Sequence, residues 1–450
     1  MSDLYWCEYA WLGGDTADPG VLLEVNGDRI TDVVTSVAAA PARSAVLRGV
    51  TFPGLVNAHS HAFHRALRGR TQLGRGSFWT WREQMYAVAA RLTPATYRAL
   101  ATAVYAEMVL AGITCVGEFH YLHHDVEGAP YTDPNAMSQA LVDAAHDAGV
   151  RLTLLDTCYL TADVGGTPLT GTQLRFDDHS VHGWAERAED MAARLAKHAE
   201  VRMGAAIHSV RAVPAEALPV VSDWATRHRA PLHMHLSEQR AENDACQSAH
   251  GCSPTELLSK VGALGPHTTA VHATHLSPRD IGLLGPSGTG VCMCPTTERD
   301  LADGIGPAHE LGSAGSPVSL GSDSQAVIDL LEEARGLELD ERLASQKRGH
   351  WSAKELLCAA TSSGARALGW SQLGQLAPGQ LADFSTIGFD SVRTADAVSS
   401  SALETAVFAA TAADVQSVVV GGRVVVRRGR HALIENVTEC LRTAVRAVQG

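Results

Sequence analysis

No apolar run in this sequence approaches the roughly 20 residues that would cross a bilayer, which excludes a helical membrane protein. The opening stretch, Met-Ser-Asp-Leu-Tyr-Trp-Cys-Glu, has neither a basic n-region nor an apolar h-region, so no signal peptide and a cytoplasmic location are expected. Paired cysteines are missing as well. The nine present are scattered, without a single Cys-x-x-Cys, and suit reduced and mostly buried thiols. Positive charge is scarce: the formal net charge is -13, so neither nucleic acid nor an anionic membrane would be drawn to this surface. A small anionic substrate would need a local arginine cluster working against that field. Lysine is rarest of all, occurring only at Lys197, Lys260, Lys347 and Lys354, whereas arginine is plentiful.

What is there is a chain of 450 residues, long enough for one large barrel with a smaller appendage. Residues 1–49 read as short β-runs, with Val21 to Val25, then Asn26-Gly27, then Asp28-Arg29-Ile30 forming a hairpin around a tight two-residue turn. From Val50 the pattern changes to apolar strands alternating with helical segments, the signature of βα units around a parallel sheet. Eight strands are expected, ending near His61, Val116, Leu155, Ile207, Leu236, His275, Cys294 and Leu320. A helix between the first two begins with Thr93 as its cap and Pro94 in its first turn, and stops at Gly112. Polar residues gather where strands end. The predicted architecture is therefore an α/β protein: a (β/α)₈ barrel over residues 50–373, with its site at the carboxyl rim. After residue 374 the chain turns β again, through Phe384-Ser385-Thr386-Ile387 and a Gly421-Gly422 hairpin, toward a final helix over 437–448. Residues 1–49 and 374–450 are predicted to join in a small discontinuous β-sandwich, because strand edges left exposed at the two ends would pair.

The chemistry starts at His59-Ser60-His61. Gly54-Leu55-Val56 reads as a buried strand running straight into these residues, and on a strand positions i and i+2 share a face, so the two imidazoles converge. His235 on the fifth strand and Asp323 after the eighth complete a set of neutral imidazoles plus a carboxylate, which suits a borderline divalent ion with one position open for water. His233 shares the face of His235 but lies deeper, and a buried hydrogen-bonding role is expected for it. His123-His124 and Cys292-Met293-Cys294 could pass for further ligands; loop polarity and barrel core are the readings preferred for them.

With these residues in place, His59-x-His61, His235, His272 and Asp323 resemble the pattern of the amidohydrolase superfamily, and the stretch Gly374 to Asp383 resembles that superfamily's return into its small sandwich. More narrowly, His59-Ser-His-Ala-Phe63, Phe78-Trp79-Thr-Trp81-Arg82-Glu83-Gln-Met85-Tyr86, Gly117-Glu118-Phe119-His120-Tyr121, His235-Leu-Ser-Glu238-Gln239, Cys294-Pro-Thr-Thr-Glu298 and Gly321-Ser-Asp323-Ser324 together resemble the formimidoylglutamate deiminase family of L-histidine degradation. The resemblance implies hydrolysis of N-formimidoyl-L-glutamate to N-formyl-L-glutamate and ammonia. Many barrels of the superfamily bridge two metals with a carbamylated lysine from the fourth strand. None of the four lysines lies near Val201 to Arg211, so a single divalent metal is expected, with zinc favoured. In the roles implied, Glu238 carries protons, while His272 and Asp323 deprotonate and orient water. A substrate with two carboxylates calls for guanidinium forks and hydroxyl or imidazole donors, for which Arg82, Tyr121, His208 and Arg211 are the candidates. His64 stands where that family commonly has glutamine, and offers one hydrogen bond to substrate in a different shape. The rival readings are a related deaminase acting on a purine or pterin-like ring, and a barrel that binds metal without catalysis. A homodimer is expected, since barrels of this size often pair.

Overall fold

Leu55–Ser60 is the first of eight parallel strands that follow one another in sequence order around a barrel. The others are Ile113–His120, Arg151–Cys158, Val201–Ile207, Leu232–Leu236, Thr268–His272, Gly290–Met293 and Val318–Leu320. This computed structural model describes residues 2–73, 76 and 78–449, the side chains of Phe78 and Trp79 excepted. All eight strands expected from the sequence form, with ends displaced by a few residues, the second running on to His120. They are buried on both faces, as parallel strands under a helical coat must be. The seam between first and eighth strands is closed by the backbone N–H of Asp323 donating to His59 at 3.0 Å and that of His61 donating to Asp323 at 3.1 Å. Barrel closure thus brings the two ends of the candidate metal motif together.

The helix leading into the second strand, Pro94–Leu110, is stopped and started by its own sequence: the Thr93 hydroxyl accepts from the Thr96 N–H, and Gly112 follows with φ +88°. Among the described residues no helix is long and apolar enough to cross a membrane. The nine cysteines are free thiols, seven of them buried.

Both ends of the chain meet in one eight-stranded mixed sheet. Its order is Arg430–His431, Arg423–Arg427, Val415–Val420, Phe384–Ile387, Ala45–Pro53, Asp3–Ala10, Asp18–Asn26 and Arg29–Val34. The antiparallel pairing of Phe384–Ile387 with Ala45–Pro53 is the junction between the ends. The sheet encloses its own core around Tyr5, Leu23, Val25 and Phe384, where the Tyr5 and Phe384 rings meet edge-on at 5.0 Å. The Gly421-Gly422 turn has both φ values positive, +56° and +75°, which the twist of a two-residue hairpin demands and glycine alone adopts freely.

A buried fork joins the two parts. Arg151, opening the third barrel strand, donates to both carboxylate oxygens of Asp383 at 2.7 and 3.0 Å, and Asp383 also accepts the Gly421 N–H at 2.8 Å. Both side chains are 2% exposed or less. Removing one partner strands a charge in low dielectric, so Arg151→Met is expected to cost about 3–5 kcal/mol in urea unfolding. The exposed pairs of Arg98 with Asp143 and Asp147 are the contrast, and Arg98→Met is expected to cost no more than about 1 kcal/mol.

Candidate metal centre and substrate cavity

His59 lies on the first barrel strand and His61 one residue past its end, still extended at φ -123° and ψ 93°, so both side chains leave the same face. Glu118, from the neighbouring strand, pins this exit by accepting from the Ser60 hydroxyl at 2.7 Å and the Ala62 N–H at 2.6 Å. Burial lifts its carboxyl to about 8 despite those bonds.

Ligand atoms of His59, His61, His235 and Asp323 all lie within 4.8 Å of one another. His59 Nε2 is 3.2 Å from the Nε2 atoms of both His61 and His235, and 3.3 Å from Asp323 Oδ1, which is also 3.3 Å from His61 Nε2. The tautomers follow from the backbone. His61 Nδ1–H donates to the Phe119 carbonyl at 2.9 Å and His235 Nδ1–H to that of His208 at 3.0 Å, which leaves Nε2 of each as a bare lone pair. Burial first, and neighbouring imidazoles second, hold His59, His61 and His235 well below their ordinary pKa. Lone pairs and a carboxylate converging on one point repel each other unless a cation stands among them. The donor set therefore fits a divalent ion, and its three nitrogens and one oxygen suit zinc.

His272 stands beside this cluster, with its Nε2 3.9 Å from Glu238 Oε1 and 3.7 Å from Asp323 Oδ2, and its Nδ1 3.4 Å from Glu298 Oε1. Burial opposes its charging, but the carboxylates of Glu238, Glu298 and Asp323 outweigh that and hold the imidazole well above its ordinary value. Burial likewise raises the carboxyl of Glu238. Several residues here occupy the left-handed backbone region that non-glycine residues avoid: Ser237 at +51°, His272 at +67°, Ala273 at +50° and Asp323 at +42°. Such conformations persist where surrounding structure enforces them, and they gather at functional sites.

The cluster forms the floor of a cavity of about 350 Å³. His61, His235, Asp323, Glu238, His272, His64, Arg82, Tyr121, His208 and Arg211 all line it, so every residue given a metal, catalytic or substrate role from the sequence reaches the wall except His59. Arg211 donates to the Tyr159 hydroxyl and the Ala162 carbonyl, both at 3.1 Å, and its guanidinium lies over the Tyr159 ring. Arg82 Nε donates to the Tyr86 hydroxyl at 2.6 Å. His64 Nε2 is 3.0 Å from the Tyr121 hydroxyl, and burial lowers its pKa to about 4, so it offers a neutral hydrogen bond. Of the Trp-rich motif, Trp81, Arg82, Met85 and Tyr86 reach the cavity, while the side chains of Phe78 and Trp79 lie outside the described residues.

The histidines set aside stay aside. His233 donates to the Ala367 carbonyl at 2.8 Å in the barrel interior, and His123 and His124 to those of Thr157 and Asp177. Cys292 and Cys294 are buried in the barrel, although Cys294 lies with His272 and Glu298 in a second group whose ligand atoms could meet on one ion. Sequence reasoning passed over Tyr159, Phe176 and Glu242, which also line the cavity. Tyr159 follows the third strand directly, so the rule that chemistry sits at strand ends would have found it. Phe176 lies in a short 3₁₀ turn far from any strand end and carried no such signal.

Fold and site together define a (β/α)₈ hydrolase. Its family is the amidohydrolases: the chain belongs to the amidohydrolase family, whose model matches residues 50–425. It is 37% identical over 423 residues to formimidoylglutamate deiminase of Pseudomonas aeruginosa, covering 92% of this chain and 90% of that one. It is 31% identical over 360 residues to 8-oxoguanine deaminase of the same species, covering 77% and 76%. Among solved structures, an amidohydrolase from Brucella melitensis superposes with a TM-score of 0.92 at 31% identity, each chain covered completely. The two Pseudomonas relatives are named as a deiminase and a deaminase, for different substrates.

Proposed function

We propose that this chain hydrolyses N-formimidoyl-L-glutamate to N-formyl-L-glutamate and ammonia. The observation that carries this reading is that one cavity is lined both by the candidate metal centre with Glu238 and His272 and by Arg82, Arg211, His208 and Tyr121. An amidine attached to a dicarboxylate needs both sets: acid–base groups for the amidine and guanidiniums for the carboxylates. The 37% identity to a formimidoylglutamate deiminase supports the same assignment.

His59, His61, His235 and Asp323 would hold the cation, which when bound supplies Lewis acidity and lowers the pKa of a water. Glu238 hydrogen-bonds the imino nitrogen, takes a proton from the attacking water and passes it to that nitrogen as the C–O bond forms and the C=N π bond opens to a tetrahedral carbon. The remaining hydroxyl proton then moves through the same carboxylate to the nitrogen as the C=O bond forms and the C–N bond breaks, and ammonia leaves. His272, set among the carboxylates of Glu238, Glu298 and Asp323, donates toward the developing tetrahedral centre and orients the nucleophile with Asp323. His64 and Tyr121 fix one substrate carboxylate through their shared hydrogen bond, and Arg211 binds the other. Burial works against the Arg211 charge, but Tyr159, Tyr86 and Glu242 outweigh it and hold the guanidinium above its ordinary value.

A purine-like ring is the second reading, favoured by the aromatic wall of Tyr121, Tyr159 and Phe176 and by the relation to 8-oxoguanine deaminase. Ammonia release from N-formimidoyl-L-glutamate, measured beside 8-oxoguanine, guanine and adenosine, separates the two. Turnover of the formimino acid alone is expected, and turnover of a ring without it ends the proposal. Arg211→Met is expected to raise KM about 10–100-fold, the loss of one or two charge-assisted hydrogen bonds, with kcat nearly unchanged. A normal KM in that variant would refute the assigned role.

A further inference from the structure

Three stretches far apart in sequence build the substrate-tail side of the cavity. Helix Phe78–Ala89 contributes Arg82 and Tyr86, the loop after the second barrel strand contributes Tyr121, and the 3₁₀ turn Gly171–Phe176 contributes Phe176. The rings interlock, with Phe176 5.1 Å from Tyr121 and 6.1 Å from Tyr86. Nothing in ring packing alone fixes the angle at which the helix approaches.

Arg175, one residue before Phe176 and 0% exposed, supplies that constraint. Its guanidinium donates to the carbonyl of Ala89, the last residue of the helix, and to that of Leu92 at 2.6 Å. The same group donates to the carbonyls of His124, at 3.1 and 3.0 Å, and of Asp125 at 2.8 Å. Its own carbonyl accepts the N–H groups of His123 and His124 at 2.9 and 3.0 Å. A helix ends with carbonyls that lack partners and carry the negative end of its dipole, so a buried cation there is both a cap and a clamp. A rigid fork satisfying carbonyls from two segments at once fixes their relative position, which a single-point ammonium cannot do.

We propose that Arg175 is a positioning residue that sets the substrate-binding wall, holding Arg82, Tyr86 and Tyr121 in register for the substrate's carboxylates without touching substrate itself. The part of this that concerns substrate rests on the function proposed above; the part that concerns the wall does not. Displacing a binding group by about an ångström costs up to roughly a hundredfold, so the loss falls on substrate binding, while the metal is kept because Arg175 bonds none of the candidate ligands.

Metal-loaded Arg175→Met and Arg175→Lys, in the full chain, test this through steady-state kinetics with N-formimidoyl-L-glutamate, metal content, and hydrogen–deuterium exchange without substrate. Arg175→Met is expected to keep its metal and a kcat within about threefold of wild type, with KM raised about 10–100-fold. Faster exchange is expected in peptides covering residues 78–92 and 121–125, and Arg175→Lys should fall between the two. Unchanged KM, or a common collapse of kcat and metal content, would overturn the proposal. Should Arg175→Met fail to fold, Arg175→Lys carries the test: a raised KM at normal kcat supports it and a wild-type KM overturns it. If wild type does not turn over this substrate, the function proposed above fails by itself. Exchange over residues 78–92 then decides the clamp, unchanged rates overturning it.

Discussion

Glu238→Gln is expected to lower kcat by about 10²–10⁴-fold while leaving metal content intact and KM within a few-fold of wild type. Glutamine keeps the size and one acceptor of the carboxylate but cannot carry a proton between water and a leaving nitrogen. The expectation has a structural basis in how the fifth and sixth strands end. Ser237 adopts φ +51°, and its carbonyl accepts the His275 N–H at 3.0 Å, as that of Leu236 accepts the Ala273 N–H at 3.0 Å. These bonds lock the two strand exits together, so that Glu238 and His272 face each other 3.9 Å apart over the floor of the cavity. Burial raises the Glu238 carboxyl more than the facing His272 draws it back, which brings a group of low intrinsic pKa nearer to the range in which proton transfer is efficient. A kcat within about tenfold of wild type would mean that another group moves the proton.

His59→Ala is expected to abolish stoichiometric metal binding and, with it, about a thousandfold or more of the rate, the equivalent of several kcal/mol of transition-state stabilisation. His59 is the sharpest choice because its Nε2 is the atom that approaches His61, His235 and Asp323 together. Without it, three donors remain around a gap that no longer fixes their geometry, and metal affinity falls. His123→Ala is the control, since His123 is equally buried but bonded to Thr157 outside the cluster. That variant is expected to lose stability and keep its metal. Metal analysis of both proteins, with thermal melts before and after chelation, separates ligation from packing, because an ion bound to the native state raises its Tm. Full metal occupancy in His59→Ala would remove the basis for the proposed centre.

Local sequence made the barrel and the His-x-His motif legible. Strand periodicity places i and i+2 on one face whatever the rest of the chain does, and a strand ending in polar residues announces a rim. Glu238, Asp323, Arg211 and Tyr121 were found by the same rule. Its limits show at Phe176 and Arg175, which stand on a short turn inside a long connection, where no period marks which side chain will be buried or what it will hold. Glu298 marks another limit. It belongs to a quotable motif, but nothing in Cys294-Pro-Thr-Thr-Glu298 discloses that its carboxylate lies 3.4 Å from His272 and also accepts the Cys294 N–H at 2.8 Å.

By itself, then, the order of residues determined which elements form and which face of each strand carries the reactive groups, because backbone geometry makes those properties local. Tertiary structure alone decided that His59, two strands' ends and the Gly-Ser-Asp turn share one point. That convergence depends on the tilt and closure of the barrel, sealed where Asp323 and the first strand exchange backbone hydrogen bonds. It also decided the tautomers of His61 and His235, since the free nitrogen of each is set by a carbonyl outside its own strand, of Phe119 and of His208, and distances between strands are written nowhere in a single stretch of chain.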